Sequence, residues 1–100
     1  MKRATPKAKP VPRDYEIQFS IHAESRAYGE RAIPLDMAID TIRTGRALAT
    51  EEIGKHGGDV FEFSKTHIVV EGRSRHLKRV VAICEIMNNL CQVVTLFNEN

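Results

Sequence analysis

His22 and Arg26 stand four residues apart in the run Ser20-Ile21-His22-Ala23-Glu24-Ser25-Arg26. On a helix that spacing puts both side chains on one face, where they can act on one small object. An imidazole can give and take a proton, and a guanidinium matches phosphate with two parallel hydrogen bonds. A proton-transfer group beside a permanent cation is what metal-free phosphodiester chemistry needs. The plainer alternative is a helix cap or a surface pair with no chemistry.

Cleaving RNA without a metal requires a base for the 2′-hydroxyl, an acid for the leaving 5′ oxygen, and cations to hold the charge on phosphorus. Four histidines are available: His22, His56, His67 and His76. His22 is the candidate base. His67, at the head of an apolar run, is the candidate second proton-transfer group, its alternative being a packed strand histidine. His76 falls in the run Arg73-Ser74-Arg75-His76-Leu77-Lys78-Arg79, which holds four cations and no acid. Arg73, Arg75, Lys78 and Arg79 are therefore candidate phosphate ligands, and the alternative is a solvated basic loop. His56 lies in a Gly-rich turn and is assigned no role. No metal-ligand spacing, dinucleotide fingerprint or phosphate loop is present, so no metal or cofactor is expected.

The pattern Ser-x-His-Ala-x-x-Arg, then Arg-x-Ile, then a strand written Val-Val-Thr-Leu-Phe falls on Ser20, His22, Ala23, Arg26, Arg31, Ile33 and 93–97. It resembles a small bacterial domain family of unknown function allied with the barnase–EndoU–colicin–RelE toxin ribonucleases, over roughly residues 17 to 97. The resemblance implies metal-independent cleavage of tRNA or mRNA to a 2′,3′-cyclic phosphate, and an antitoxin or immunity protein as partner. It adds Thr95 to His22, Arg26 and His67 as a catalytic candidate, and Arg31 to the phosphate ligands. One departure is that 26–31 is a residue longer than the pattern, with Gly29 the extra, so Arg31's place on the helix face does not follow. The rival reading is a non-catalytic protein-interaction or RNA-binding module of the same fold.

The formal charge of +2 is unevenly placed. Lys2, Arg3, Lys7, Lys9 and Arg13 precede the first acid, Asp14, leaving ten Lys and Arg against thirteen Asp and Glu, or −3, in the rest. A body of that charge is not globally basic, which weakens any claim of broad nucleic-acid affinity and favours the rival. Pro6, Pro10 and Pro12 break the first segment, so residues 1–13 read as a disordered basic arm. Residues 14–100 read as one domain. No apolar run is long enough to span a membrane, and the basic start has no apolar signal core. Cys84 and Cys91 make no disulfide framework and fit a reducing, cytoplasmic setting.

These residues must be positioned by short elements. Residues 15–20 alternate apolar and polar, as a strand or extended entry does. Ser20 is placed to cap a helix over 22–30 ending at Gly29. Pro34 and Asp36 start a second helix with Leu35, Ala38, Ile39 and Ile42 on one face and a stop at Gly45. Segments 48–53, 60–63, 67–71, 78–87 and 90–97 read as strands, the second and third being either separate or one continuous strand. Asn88-Asn89 suits a tight hairpin turn. In that register Met87 faces Leu90, Cys84 faces Val93 and Ala82 faces Thr95. Val80, Ala82, Cys84, Cys91, Val93, Thr95 and Phe97 then face the helices, with Thr95 toward His22. Glu85, Gln92, Val94 and Leu96 share a mixed opposite face suited to binding. The architecture expected is α+β, two N-terminal helices packed on a four-stranded antiparallel sheet.

Overall fold

Alternation of apolar and polar residues continues through most of the chain, and the sheet it builds dominates the fold. The structure, a computed structural model, describes residues 15–28 and 33–99, with backbone alone at 26–28. The proposed arm at 1–13 and the candidate Arg31 lie outside the described residues. In chain order the elements are β1 (Glu16–Phe19), α1 (Ile21–Tyr28), α2 (Leu35–Thr44), β2 (Arg46–Ile53), β3 (Asp59–Glu71), β4 (Ser74–Met87) and β5 (Leu90–Glu99). The strands form one sheet in the order β1-β5-β4-β3-β2.

This overturns the expected α+β arrangement. The sheet has five strands and is mixed, because β1 runs parallel to β5, pairing Glu16 with Leu90 through Phe19 with Val93. A strand therefore precedes both helices, and the helices are short, eight and ten residues. The entry segment becomes a true strand because the outer edge of β5 offers it a ladder of hydrogen-bonding groups. That partner lies some seventy residues away in the chain, so no local pattern announces it. Segments 60–63 and 67–71 merge into β3, which pairs with β4 from Asp59–Ile86 to Glu71–Ser74.

The β4–β5 hairpin holds the expected register from Met87–Leu90 to Cys84–Val93, turning at Asn88, whose φ is 51°. Beyond Val93 it slips. Ile83 faces Thr95 and Ala82 faces Leu96, with Val94 as the extra residue of a β-bulge. One inserted residue exchanges the two faces from there on. Leu96, not Thr95, then enters the core under the helices, where it is fully buried. Thr95 turns to the opposite face, a correction to its expected placement toward the helices.

The helix side of the sheet is the core. Val80, Ala82 and Cys84 of β4 meet Cys91, Val93 and Leu96 of β5 and Phe61 and Phe63 of β3, and Ala23, Ala38 and Ile42 cover them. Gly45 ends α2 where a Cβ would stand 2.3 Å from the Thr41 carbonyl oxygen and 2.6 Å from that of Ser64. Only glycine lets the helix close against β3 there. Cys84 and Cys91 are free and buried. Hydrogen bonding to Cys91 and burial raise the Cys84 thiol well above its ordinary range. Among the described residues no helix is long and apolar enough to cross a membrane.

Candidate functional site

Ser20 fastens three elements at one point. Its amide donates to the Val93 carbonyl (3.0 Å), extending the β1–β5 ladder by one residue. Its hydroxyl accepts from the Ala23 amide (3.0 Å), capping α1, and donates to the Val94 carbonyl in the bulge (3.1 Å). The first turn of α1, with exposed His22 on it, is thereby held beside the bulge.

The turn between β2 and β3 is fixed from the other side by Glu85. This carboxylate stands on β4 in an otherwise apolar stretch and is only 1% exposed. Its Oε2 accepts from the amides of His56 (2.9 Å) and Gly58 (2.7 Å). The turn closes on itself through Gly54 N–H to the Gly58 carbonyl (2.8 Å) and Gly57 N–H to the Gly54 carbonyl (2.9 Å). Gly57 takes φ of +83°, a region open to glycine. A Cβ on Gly54 would stand 2.0 Å from the Glu85 Cδ, so the turn can lie on the carboxylate only because that side chain is absent.

Between these two anchors lies a cleft of about 320 Å³, lined by Ser20, His22, Lys55, His56, Glu85, Gln92 and Val94. The lining brings two imidazoles and one ammonium to the same cleft as the Glu85 carboxylate and the Gln92 amide. Imidazoles can transfer protons and an ammonium can balance phosphoryl charge. Among the described residues no group of three or more His, Cys, Asp or Glu is placed to hold a metal, so His22, His56 and Glu85 do not converge on one ion.

Of the sequence candidates whose side chains are described, His22 alone lines this cleft. Arg26 falls on α1, its side chain outside the described residues. Thr95 shares the cleft's side of the sheet, one residue past Val94, without lining it. His67 lies across the sheet, because it alternates in phase with Phe61 and Phe63, which face α2. There its Nε2 is 2.8 Å from the Thr41 hydroxyl. Thr41 already donates to the Met37 carbonyl (2.8 Å), so it accepts from His67 Nε2–H. Nδ1 then faces Asp40 at 4.0 Å. Burial lowers the His67 pKa, with Asp40 opposing and Lys65 adding to the fall. Lys65 in turn bonds Asp40 at 2.6 Å and holds its carboxyl below the ordinary range.

The basic run forms the turn and first half of β4. Arg79 bonds the Glu99 carboxylate (3.2 Å) and the Ser64 hydroxyl (3.4 Å). At the strand rise per residue, Arg79 is about 20 Å from Glu85 along β4, and Lys78, Arg75 and Arg73 are farther. These cations do not join the cleft.

Strand alternation placed Glu85 and Gln92 on a mixed face suited to binding, without a role for either, and it gave Lys55 and His56 none. The signals available for a closer reading are a Lys-His pair inside the glycine-rich run 54–58 and a lone acid in the apolar run 80–87, where a buried charge needs partners. Comparison with protein-family models, with curated proteins and with solved structures finds no match for this chain.

Proposed function

We propose that the cleft binds RNA and cleaves it without a metal, as a toxin-like endoribonuclease. His22 takes the proton of a ribose 2′-hydroxyl as that oxygen attacks the adjacent phosphorus. The bond from phosphorus to the 5′ oxygen breaks, and the His56 imidazolium protonates the departing oxygen. Lys55 balances the charge on the phosphoryl oxygens, and Gln92 offers an amide to the substrate. The products are a 2′,3′-cyclic phosphate and a free 5′-hydroxyl. The single observation behind this reading is the meeting of His22, Lys55 and His56 in one cleft from segments over thirty residues apart. The cytoplasm is the proposed setting, and an antitoxin or immunity protein the neutralising partner that the family resemblance implies.

The test is incubation of the folded chain with total tRNA in EDTA, followed by end-group analysis. Cyclic phosphate ends that disappear with His56→Ala support the reading, and intact RNA refutes it. The non-catalytic binding module is the second reading. It is favoured by the single permanent cation among the cleft's described lining residues and by the net −3 beyond residue 13.

A further inference from the structure

The far end of the β3–β4 hairpin outruns its neighbours. β2 pairs with β3 only from Asp59 to Ser64, and β5 pairs with β4 only from Met87 to Arg79. Among the described residues, 74–78 of β4 therefore have a strand on one side alone. Such an edge presents a row of backbone donors and acceptors ready for another chain.

Its side chains are unusual for a bare edge. On the cleft's side of the sheet, Ile68 pairs with Leu77 and Val70 with Arg75. Ile68, Val70 and Leu77 are 67%, 60% and 65% exposed. Arg73, Arg75 and Lys78 make no ion pair with any described residue, whereas Arg79, His76 and Lys65 are each matched by a carboxylate. Exposed aliphatics interleaved with unmatched cations call for a partner that is both apolar and acidic.

We propose that the outer edge of β4 over residues 74–78 takes an added strand from an acidic protein partner, with carboxylates beside Arg75 and Lys78 and an aliphatic side chain beside Leu77. Strand addition supplies main-chain hydrogen bonds, and the side-chain pairs supply selectivity. A second copy of the same edge is disfavoured, because residues 74–78 carry two cations and no acid, so two such edges bring only positive charge together. RNA would match the cations, but residues 66–79 carry no Phe, Tyr or Trp for bases to stack on, and the aliphatic pairs would stay in water. None of the cleft residues enters this inference, so it stands or falls apart from the ribonuclease reading.

The full chain is titrated, by fluorescence anisotropy, into three labelled probes: a short peptide carrying Glu-Val-Thr-Glu, which sets its carboxylates beside Lys78 and Arg75 and its valine beside Leu77, its twin with Lys for every Glu, and single-stranded RNA of the same charge as the acidic peptide. The acidic peptide is expected to bind saturably and the Lys twin not at all. Arg75→Glu with Lys78→Glu, and separately Leu77→Asn, should each weaken the acidic peptide by roughly tenfold or more, in line with the loss of a cross-interface charge or apolar anchor. All these positions but Lys78 are well exposed, and thermal melts of the variants confirm folded protein. No saturable binding of the acidic peptide overturns the proposal. So does binding that both variants leave unchanged, or RNA binding that these variants abolish while the peptide fails to bind.

Discussion

The two sides of the sheet use histidine in opposite ways. On the cleft side, His22 and His56 are exposed, and backbone anchors, Ser20 and Glu85, hold the segments that carry them. On the helix side, His67 is tucked under α2 with its own ring bonded to Thr41. In the first case the protein fixes the main chain and leaves the imidazole free for a ligand. In the second it ties one ring nitrogen to a helix hydroxyl and covers the ring by packing. The contrast shows that what a histidine is bonded to, rather than how apolar its neighbours in sequence are, separates a group available for chemistry from a structural one.

The sharpest way to break this contrast is to remove each histidine in turn. His22→Ala and His56→Ala should each cut RNA cleavage by ~10²–10⁴-fold, the usual contribution of a general acid or base, with melting curves unchanged. His67→Ala should leave cleavage per folded molecule intact. Should it cut cleavage as deeply as His56→Ala, the two sides would have to be treated as one site.

Glu85→Ala tests whether the anchor matters as much as the imidazole. It strands the buried amides of His56 and Gly58 and should cost about 2–3 kcal/mol of stability. Cleavage at a temperature where the variant is folded should also fall, because Lys55 and His56 lose their seat. Glu85→Gln keeps one acceptor oxygen and should recover much of the stability in chemical denaturation. A fully stable Glu85→Ala protein would mean that the turn needs no anchor.

On the helix side the effects are smaller. His67→Ala should lower stability by about 1 kcal/mol, the scale of one net hydrogen bond, read as a shift in the thermal midpoint. The gentlest test is pH. Burial depresses the His67 pKa below 6.5, so the unfolded chain binds this proton more readily than the folded one. Stability should therefore decline as pH falls through 6.5 toward the folded value, and level off below it. His67→Gln should flatten that part of the stability–pH curve relative to the native chain, and an unaltered curve would assign the decline to other groups.

Much of the hairpin framework was legible because turns and alternation are local. Asn88-Asn89, Pro34 and Gly45 each mark a boundary that lies within a residue or two of where the structure puts it. Three features were not. β1 finds its partner at the far end of the chain, and spacing within a segment carries no trace of that. The bulge at Val94 depends on how the Ser20 hydroxyl and the β1 ladder meet β5, and it alone decides that Leu96 rather than Thr95 is buried. The face of His67 follows from its phase with Phe61 and Phe63 only once 60–63 and 67–71 are known to be one unbroken strand. The cleft suffered most, since two of its seven described lining residues, Lys55 and His56, belong to a turn seated on a carboxylate that comes from a different strand.

The parallel pairing of β1 with β5 also dictates when the cleft can exist. Ser20 caps α1 while bonded to Val93 and Val94, and β1 itself is a strand only by virtue of residues Leu90 to Val93. At synthesis rates of about 5–20 residues per second, His22 waits roughly 4–15 seconds for those residues to be made. A nascent chain stopped before β5 can hold its β3–β4 hairpin but has nothing to fasten His22 opposite His56. Whatever activity resides in the cleft is thus withheld until translation of the domain is almost finished.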